Sequence, residues 1–403
     1  MMRQEIVQLE NILMSLQKIN LVFQQPQNVN GGLIQEILNT VEEVNKEVFG
    51  CRKLPEIFLE ECKDNAVSFG EQYERWLGEL FEEVQCRKAL STKIDYDFHV
   101  FLSHVAAAGE EALAEEAAAC LERIRQSDRN YYENMKRIYN NYAHFWGTLD
   151  LENGDINLII NRVHEVKSHL EDFRWLYDNL ADYRSKRVLY GILRYWLTFD
   201  DEYKNSIKEN NFDDYYDFDI LSCNEEECLV DLGAYNGDST LSFIDNFGVY
   251  KRIYCYEMTA SSMERMQKRL ESFDNIVYRQ VAAGNVNGSV HMADFEGDSS
   301  SNTVNPQGNK EIPMVKLDDD ISEPITFIKM DIEGSEVEAL KGAERHIRED
   351  KPKLAVCSYH NNHHIYEIPK LMREYNPEYK LYMRYNGPMD HVLTSEFVTF
   401  AIP

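Results

Sequence analysis

The chain has 403 residues, 43% of them hydrophobic and 28% charged, which is enough for two or three domains with their own cores. Its net charge of −28 argues against non-specific binding to a phosphate backbone, so we expect no nucleic-acid partner. The cysteines show no Cys-x-x-Cys pair, and no apolar run has the length of a signal peptide core or a membrane span. We therefore expect a cytoplasmic protein with reduced cysteines.

The first half of the chain has apolar residues at helical spacing. This pattern predicts helices over Ile34 to Phe49, Glu71 to Leu90, Val105 to Ile124, Asn157 to Leu180 and Ser185 to Leu197. We assign residues 1–165 to an all-helical domain for acceptor recognition or homo-oligomerisation. Residues 166–225 form a helical lead-in to the next domain.

An aromatic cluster lies within this helical part. It consists of Tyr131, Tyr132, Tyr139, Tyr142, Phe145 and Trp146. The spacing favours the core of a helix, and a stacking platform for a sugar is the less favoured alternative.

After Cys223, short apolar strands alternate with helical stretches, as in "CLVDLG" followed by "STLSFIDNF". This alternation predicts a mainly parallel sheet covered by helices, an α/β fold with an antiparallel carboxyl-terminal strand, over residues 226–403. Ligands of such sheets bind beyond the carboxyl ends of the strands, so the functional residues are expected there.

The first of these strands runs into the glycine-containing turn "VDLGAYNGDST". We assign this turn to a nucleotide-like cofactor, with Asp231, Gly233, Ala234, Tyr235, Gly237, Asp238, Ser239 and Thr240 as its binding residues. The next strand ends at Glu257, whose carboxylate is suited to accepting hydrogen bonds from two ribose hydroxyls, and Met258 follows it.

A later strand carries charges at alternate positions in "FIKMDIEGSE". Lys329 and Asp331 share one face of that strand, so we interpret Lys329 as the internal partner of a carboxylate. Glu333 follows as the strand leaves the sheet. A neighbouring strand ends at His360, and adjacent strands would bring His360 within a few ångströms of Asp331.

The stretch "TFIKMDIEGSEVEALKGA", together with "VKLDDDI", "VAAGN" and "SYH", resembles the signature of FkbM-type methyltransferases. The resemblance implies a Rossmann-like class I methyltransferase fold and S-adenosylmethionine as cofactor, with S-adenosylhomocysteine as product. It further implies methyl transfer to a hydroxyl of a small molecule, natural product or glycan, and it places Ala282 beside the adenine and Asp331 beside the cofactor.

A hydroxyl acceptor needs a base or a metal, and the residues leave this choice open. Asp331 and His360 are the candidate bases, with Lys329 in support. Glu333, His363 and His364 are the candidate acceptor contacts, although "HNNHHIYEIP" departs from the acidic residues that relatives tend to carry there. A divalent cation on Asp331 and Glu333 is not favoured, because no third ligand is evident.

Two other functions remain as alternatives. One is N-methylation of a peptide or small amine, although the motif [DN]-P-P-[YF] is absent where "DIEG" stands. The other is a non-catalytic protein that binds S-adenosylmethionine. The polar segment Glu296 to Asn309 is interpreted as a lid or a connection, and Asp318 as a residue that borders the site or caps the local chain.

Overall fold

A computed structural model describes most of the chain. The described residues are 2–23, 37, 39–44, 46, 48, 66–213, 215–293, 303–304, 308, 310–386 and 395–403. The chain divides into two compact units, residues 1–115 and 116–403. Within the described residues, no helix has both the length and the apolar character needed to cross a membrane.

The first unit contains helices α1 (Met2–Phe23), α2 (Ala66–Ala89) and α3 (Lys93–Ala107). Leucines of α1 pack against Tyr73, Trp76 and Leu80 of α2, and the Tyr73 hydroxyl donates to the Leu16 carbonyl at 2.9 Å. The prediction of a helix over Glu71 to Leu90 is confirmed, whereas the predicted helix Ile34 to Phe49 lies mostly outside the described residues.

Further helices precede the sheet. They are α4 (Glu110–Ser127), α5 (Arg129–Asn141), α6 (Ala143–Trp146), α7 (Asn157–Ser168), α8 (Leu170–Asn179), α9 (Tyr183–Thr198) and α10 (Asp201–Ile207), with a 3₁₀ turn at Leu151–Asn153. The predictions of single helices over Val105 to Ile124 and Asn157 to Leu180 were wrong, because the helix ends at Ala107 in one case and at Ser168 in the other. The apolar spacing continues across both breaks and therefore does not reveal them.

The predicted strands form one sheet. The strands are β1 (Cys228–Leu232), β2 (Arg252–Tyr256), β3 (Ile276–Arg279), β8 (Phe327–Met330), β9 (Lys353–Cys357), β10 (Lys380–Tyr385) and β11 (Phe397–Ile402), in the order β10-β11-β9-β8-β1-β2-β3. The pairs β9–β8–β1–β2–β3 are parallel, and β11 runs antiparallel to both of its neighbours. The α/β prediction, including the antiparallel carboxyl-terminal strand, is confirmed.

Helices connect these strands: α11 (Asp238–Phe247), α12 (Ala260–Arg269), α14 (Glu336–Lys341), α15 (Glu344–Glu349) and α16 (His364–Tyr375). Between β3 and β8 the chain adds a short helix, α13 (Leu317–Asp320), and a second sheet that the sequence did not predict. That sheet has the order β4-β7-β5-β6, from Ala282–Ala283, Lys310–Val315, Gly288–Ala293 and Thr303–Val304. Most of the segment Glu296 to Asn309 lies outside the described residues.

The direction in which successive strands are added to the sheet reverses at β1. The chain moves outward from β1 through β2 to β3, then returns to place β8 on the other side of β1. A crevice opens beyond the carboxyl ends of the strands at such a point. The fold therefore directs the ends of β1, β2, β8 and β9 towards one site.

Candidate active site

Asp231, at the end of β1, is fully buried and held from three directions. Its carboxylate lies 3.0 Å from the Lys329 ammonium and accepts hydrogen bonds from the Ser239 and Thr240 hydroxyls, each at 2.7 Å. Lys329, on the neighbouring strand β8, also donates to the Gly233 carbonyl at 3.0 Å. The close partner of Lys329 is thus Asp231 on another strand, rather than Asp331 two residues along its own.

Gly233 begins the turn after β1 with a φ of +76°. A Cβ at this position would lie 1.8 Å from the Asp331 carbonyl oxygen, so only glycine allows the ends of β1 and β8 to approach this closely. Ala234 follows in the hydrophobic core, and Gly237, with a φ of +82°, precedes α11. The glycines of this turn therefore serve the backbone itself in addition to any ligand.

A small cavity lies at the ends of β1 and β2. Its lining consists of Leu232, Gly233, Tyr235, Tyr256, Glu257, Met258, Val281, Ala282, Ala283, Asp331, Ile332, Glu333 and Ser335. Glu257 is buried, and its carboxylate accepts a hydrogen bond from the Thr259 backbone at 2.6 Å. Burial raises the pKa of Glu257. Six of the residues predicted to bind the cofactor thus surround one cavity.

A larger cavity of about 980 Å³ adjoins the first. It is lined by Ile138, Asn141, Tyr142, Phe145, Trp146, Asn210, Phe212, Asp213, Tyr215, Tyr216, Gly233, Tyr235, Asp238, Ser239, Ser242, Lys329, Asp331, Glu333, Tyr359, His360, Ser395 and Glu396. Gly233, Tyr235, Asp331 and Glu333 line both cavities. These shared residues mark the place where ligands of the two cavities would meet.

Asp331 lies at this junction, directly after β8. Its carboxylate accepts a hydrogen bond from the Tyr215 hydroxyl at 2.6 Å and a longer one from the Tyr359 hydroxyl at 3.3 Å. The same carboxylate lies 3.5 Å from Nε2 of His360, which follows β9. The expectation that neighbouring strands bring Asp331 and His360 within a few ångströms of each other is confirmed.

Comparison with known proteins identifies the part of the chain that builds this junction. Residues 231–380 match the family model described as the methyltransferase FkbM domain. This segment is an FkbM methyltransferase domain. Its first residue is the buried Asp231, and it includes both Asp331 and His360.

One solved structure supports the assignment of the FkbM domain. Methyltransferase FkbM from Methylobacillus flagellatus KT is similar at 26% identity and a TM-score of 0.52, over 62% of this chain and 63% of that one. The alignment thus covers less than two thirds of that protein. No curated protein matches the chain.

Two further structures match at lower TM-scores. An rRNA methylase from Streptococcus thermophilus is 16% identical, and the alignment covers 44% of this chain and 87% of that protein, with a TM-score of 0.27. A putative methyltransferase from Streptococcus mutans in complex with SAH is 12% identical, and the alignment covers 45% of this chain and 90% of that protein, with a TM-score of 0.29.

Within the FkbM domain, three carboxylates surround His360. Nδ1 lies 2.9 Å from Glu336, and Nε2 lies 3.5 Å from both Glu333 and Asp331. Burial by itself would lower the pKa of His360. The negative charge of Glu336 and, to a smaller extent, those of Glu333 and Asp331 outweigh this effect and raise the pKa to about 10. Burial, together with the charges of Asp331 and Glu336, raises the pKa of Glu333 to about 8.

The other predicted residues of the FkbM domain lie away from the cavities. His363 is half-exposed, 3.6 Å from Glu367, and His364 is buried with Nδ1 3.4 Å from Glu336. Neither lines either of the two cavities described above. Asp318 caps α15, because its carboxylate accepts hydrogen bonds from the backbone of Arg345 and His346.

Most of the aromatic residues that line the larger cavity come from outside the FkbM domain. Phe145 has its ring centroid 5.3 Å from that of His360, and the Trp146 indole donates to the Tyr359 carbonyl at 2.9 Å. Tyr132 and Tyr139 are buried, as the favoured interpretation of the aromatic cluster requires. Tyr142, Phe145 and Trp146 nevertheless line the larger cavity, so for these three residues the interpretation as a stacking platform stays a prediction.

Proposed function

We propose that this chain is an S-adenosylmethionine-dependent O-methyltransferase that methylates a hydroxyl of an uncharged or cationic glycan or natural product. The observation that carries the proposal is the junction of two cavities at Asp331, within an FkbM methyltransferase domain. A methyl donor in the smaller cavity would present its methyl group to an acceptor in the larger one.

The lining of the smaller cavity suits the donor. Glu257 would accept hydrogen bonds from ribose hydroxyls, and the neighbouring Met258 and Ala282 would offer apolar surface to the adenine. Asp231 would act indirectly, because its oxygens are already engaged by Lys329, Ser239 and Thr240. It keeps the turn between β1 and α11 in the shape that the donor requires.

Transfer is an in-line displacement at the methyl carbon. The acceptor oxygen forms a bond to this carbon while the carbon–sulfur bond breaks and its electron pair moves to sulfur, leaving neutral S-adenosylhomocysteine. We assign the hydroxyl proton to Asp331, which, like Glu333, lines both cavities. The protein contributes mainly by aligning the two substrates.

The lining of the larger cavity favours acceptors without negative charge. Its carboxylates belong to Asp213, Asp238, Asp331, Glu333 and Glu396. Aromatic side chains at the cavity, Tyr142 and Phe145 among them, offer faces on which a sugar ring can stack. An acceptor with a phosphate or carboxylate group would be repelled.

Calorimetry with S-adenosylmethionine and S-adenosylhomocysteine tests the donor assignment. We expect both to bind, and Glu257→Gln to weaken both because it removes the charge that faces the ribose. Folded protein that binds neither at about millimolar concentration would overturn the proposal. Transfer of a labelled methyl group to hydroxylated sugars, compared with amines, then tests the choice of oxygen over nitrogen.

A further inference from the structure

We propose that Asp331, Glu333 and His360 bind a divalent transition-metal cation, such as Mn²⁺ or Zn²⁺, at the junction of the two cavities. The binding of the cation stands independently of methyl transfer, and only its consequence for an acceptor hydroxyl rests on the proposed function. The sequence alone did not favour such a site, because the third ligand, His360, follows a different strand from the two carboxylates.

The three ligand atoms have suitable separations. Nε2 of His360 lies 3.5 Å from Asp331 Oδ1 and 3.5 Å from Glu333 Oε2, and all three atoms lie within 4.8 Å of one another. A metal about 2.1 Å from each ligand places neighbouring ligands about 3 to 3.5 Å apart. Small side-chain adjustments are therefore enough to close the site around an ion.

His360 is oriented as a metal ligand would be. The residue is 2% exposed, and its Nε2 forms no hydrogen bond to any residue that the structure describes. Nδ1 lies 2.9 Å from the fully buried carboxylate of Glu336. Carboxylates in this position fix the ring of metal-binding histidines and direct the other nitrogen to the metal. Here the other nitrogen faces Asp331 and Glu333.

The backbone supports the same arrangement at Glu333. This residue has a φ of +54°, in the left-handed region that residues other than glycine seldom adopt. Such conformations cost about 1–3 kcal/mol and concentrate at functional sites. At Glu333 the conformation holds a carboxylate within ion-pair distance of His360 and close to Asp331, despite their like charges.

The donor set indicates the class of metal. One imidazole nitrogen and two carboxylate oxygens suit Mn²⁺, Zn²⁺ or Fe²⁺ better than Ca²⁺ or Mg²⁺, which prefer oxygen ligands alone. Three protein ligands leave coordination positions open towards the cavities. If the proposed function holds, an acceptor hydroxyl bound there would lose its proton more readily.

Binding of Mn²⁺ to the full chain, after treatment with a chelator and dialysis, tests the site. We expect one Mn²⁺ per chain by calorimetry and by the loss of the free-ion electron paramagnetic resonance signal. Pulsed resonance should show coupling to one histidine nitrogen, which disappears in His360→Gln. Glu333→Gln should weaken binding at least tenfold, whereas Glu396→Gln, which removes a charge from the same cavity without removing a ligand, should change it less than threefold.

Two outcomes would overturn the site. One is the absence of Mn²⁺ and Zn²⁺ binding at about millimolar concentration by folded protein, which would leave Asp331, Glu333 and Glu336 as ion-pair neighbours of His360 alone. The other is binding that Glu333→Gln leaves unchanged. Calorimetry with S-adenosylhomocysteine on the same sample separates the two proposals, because donor binding without metal binding overturns this site alone. Metal binding without donor binding overturns only the proposed function.

Discussion

At the scale of single residues, both proposals depend on Asp331. It lines both cavities, accepts a hydrogen bond from Tyr215 and lies within 3.5 Å of His360. Under the two proposals, an oxygen of this carboxylate would take the acceptor proton or bind a cation. Both roles need the negative charge, whereas the hydrogen bond from Tyr215 needs only an oxygen.

The substitution Asp331→Asn removes the negative charge and leaves the shape of the side chain almost unchanged. We expect turnover to fall by about 10²–10⁴-fold, because proton transfer loses its acceptor, while affinity for S-adenosylhomocysteine stays within about threefold. Steady-state kinetics and calorimetry measure the two effects. Asp245→Asn, at an exposed position of α11, is the matched control. Unchanged turnover in Asp331→Asn would remove the residue from this role.

Gly233 has a steric role that a stability measurement can isolate. In Gly233→Ala the new methyl group would meet the Asp331 carbonyl, whereas in Gly248→Ala, at a similar φ of +72°, it would meet no atom within 4 Å. Both variants place an alanine at a positive φ, so only the steric clash makes their losses of unfolding free energy differ. We expect the free energy of unfolding, measured with denaturant, to fall by about 1–3 kcal/mol more in Gly233→Ala than in Gly248→Ala. Equal losses would contradict the close approach of β1 and β8.

At the scale of elements, the short helix α6 completes the larger cavity. Phe145 and Trp146 face the loop after β9, and Trp146 is tied to that loop by its indole hydrogen bond. The helices before the sheet therefore supply part of the candidate acceptor site, in addition to covering the sheet. This agrees with an acceptor-recognition role for that part of the chain, which stays a prediction.

Phe145→Ala tests the aromatic wall. We expect KM for a sugar acceptor to rise about threefold to tenfold, the equivalent of one lost stacking contact, with little change in S-adenosylhomocysteine affinity. Phe81→Ala, at a side chain that is 45% exposed, is the control. A rise in the Kd of the donor with unchanged KM for the acceptor would place Phe145 at the other cavity.

Helix α9 begins at a charged cap that also binds the sheet. Asp182 accepts hydrogen bonds from the Ser185 backbone at 2.8 Å and from Arg384 of β10 at 2.7 Å. Burial alone would raise its pKa, but Arg384 and Ser185 hold the pKa of Asp182 below its ordinary value. The stability gained from the charged form is therefore present above a pH of about 4 and is lost as pH falls further.

Asp182→Asn keeps the cap but removes the charge. We expect the variant to be less stable than the unmodified chain at neutral pH, and the gap in unfolding free energy to narrow below about pH 4. Urea unfolding across this pH range measures the gap. Asp178→Asn, at an exposed position of α8, should show no such narrowing. A gap independent of pH would show that the charge of Asp182 contributes nothing.

At the scale of the whole molecule, the negative charge of the chain extends into its larger cavity. The net charge is −28, and the basic residues of the lining, Lys329 and His360, lie beside carboxylates. This distribution disfavours anionic acceptors both on approach and in the bound state.

A pair of acceptors that differ by one carboxylate tests this distribution. We expect kcat/KM to be at least tenfold lower for the anionic sugar than for its neutral counterpart, and the difference to shrink as salt is added. Glu396→Gln should narrow the difference at low salt. Equal use of both acceptors would contradict the charge argument and reopen the acceptor class.

The sequence by itself determined the larger sheet and the edge of that sheet at which the candidate site lies. Alternating strands and helices after Cys223 predicted the parallel order, and Asp231, Glu257, Asp331 and His360 were recognised because each follows an apolar strand. Parallel strands end at one edge of a sheet, so local patterns were enough to bring these residues to a common crevice. The glycine turn was likewise readable from the chain.

Only the tertiary structure decided which side chains meet. It paired Lys329 with Asp231 across two strands, placed Glu333 and His360 around one point, and brought Phe145 to the site from before the sheet. It also divided two apparently continuous helices. Contacts of this kind depend on the register of neighbouring strands and on how helices pack over them, and no periodicity in the sequence records these distances.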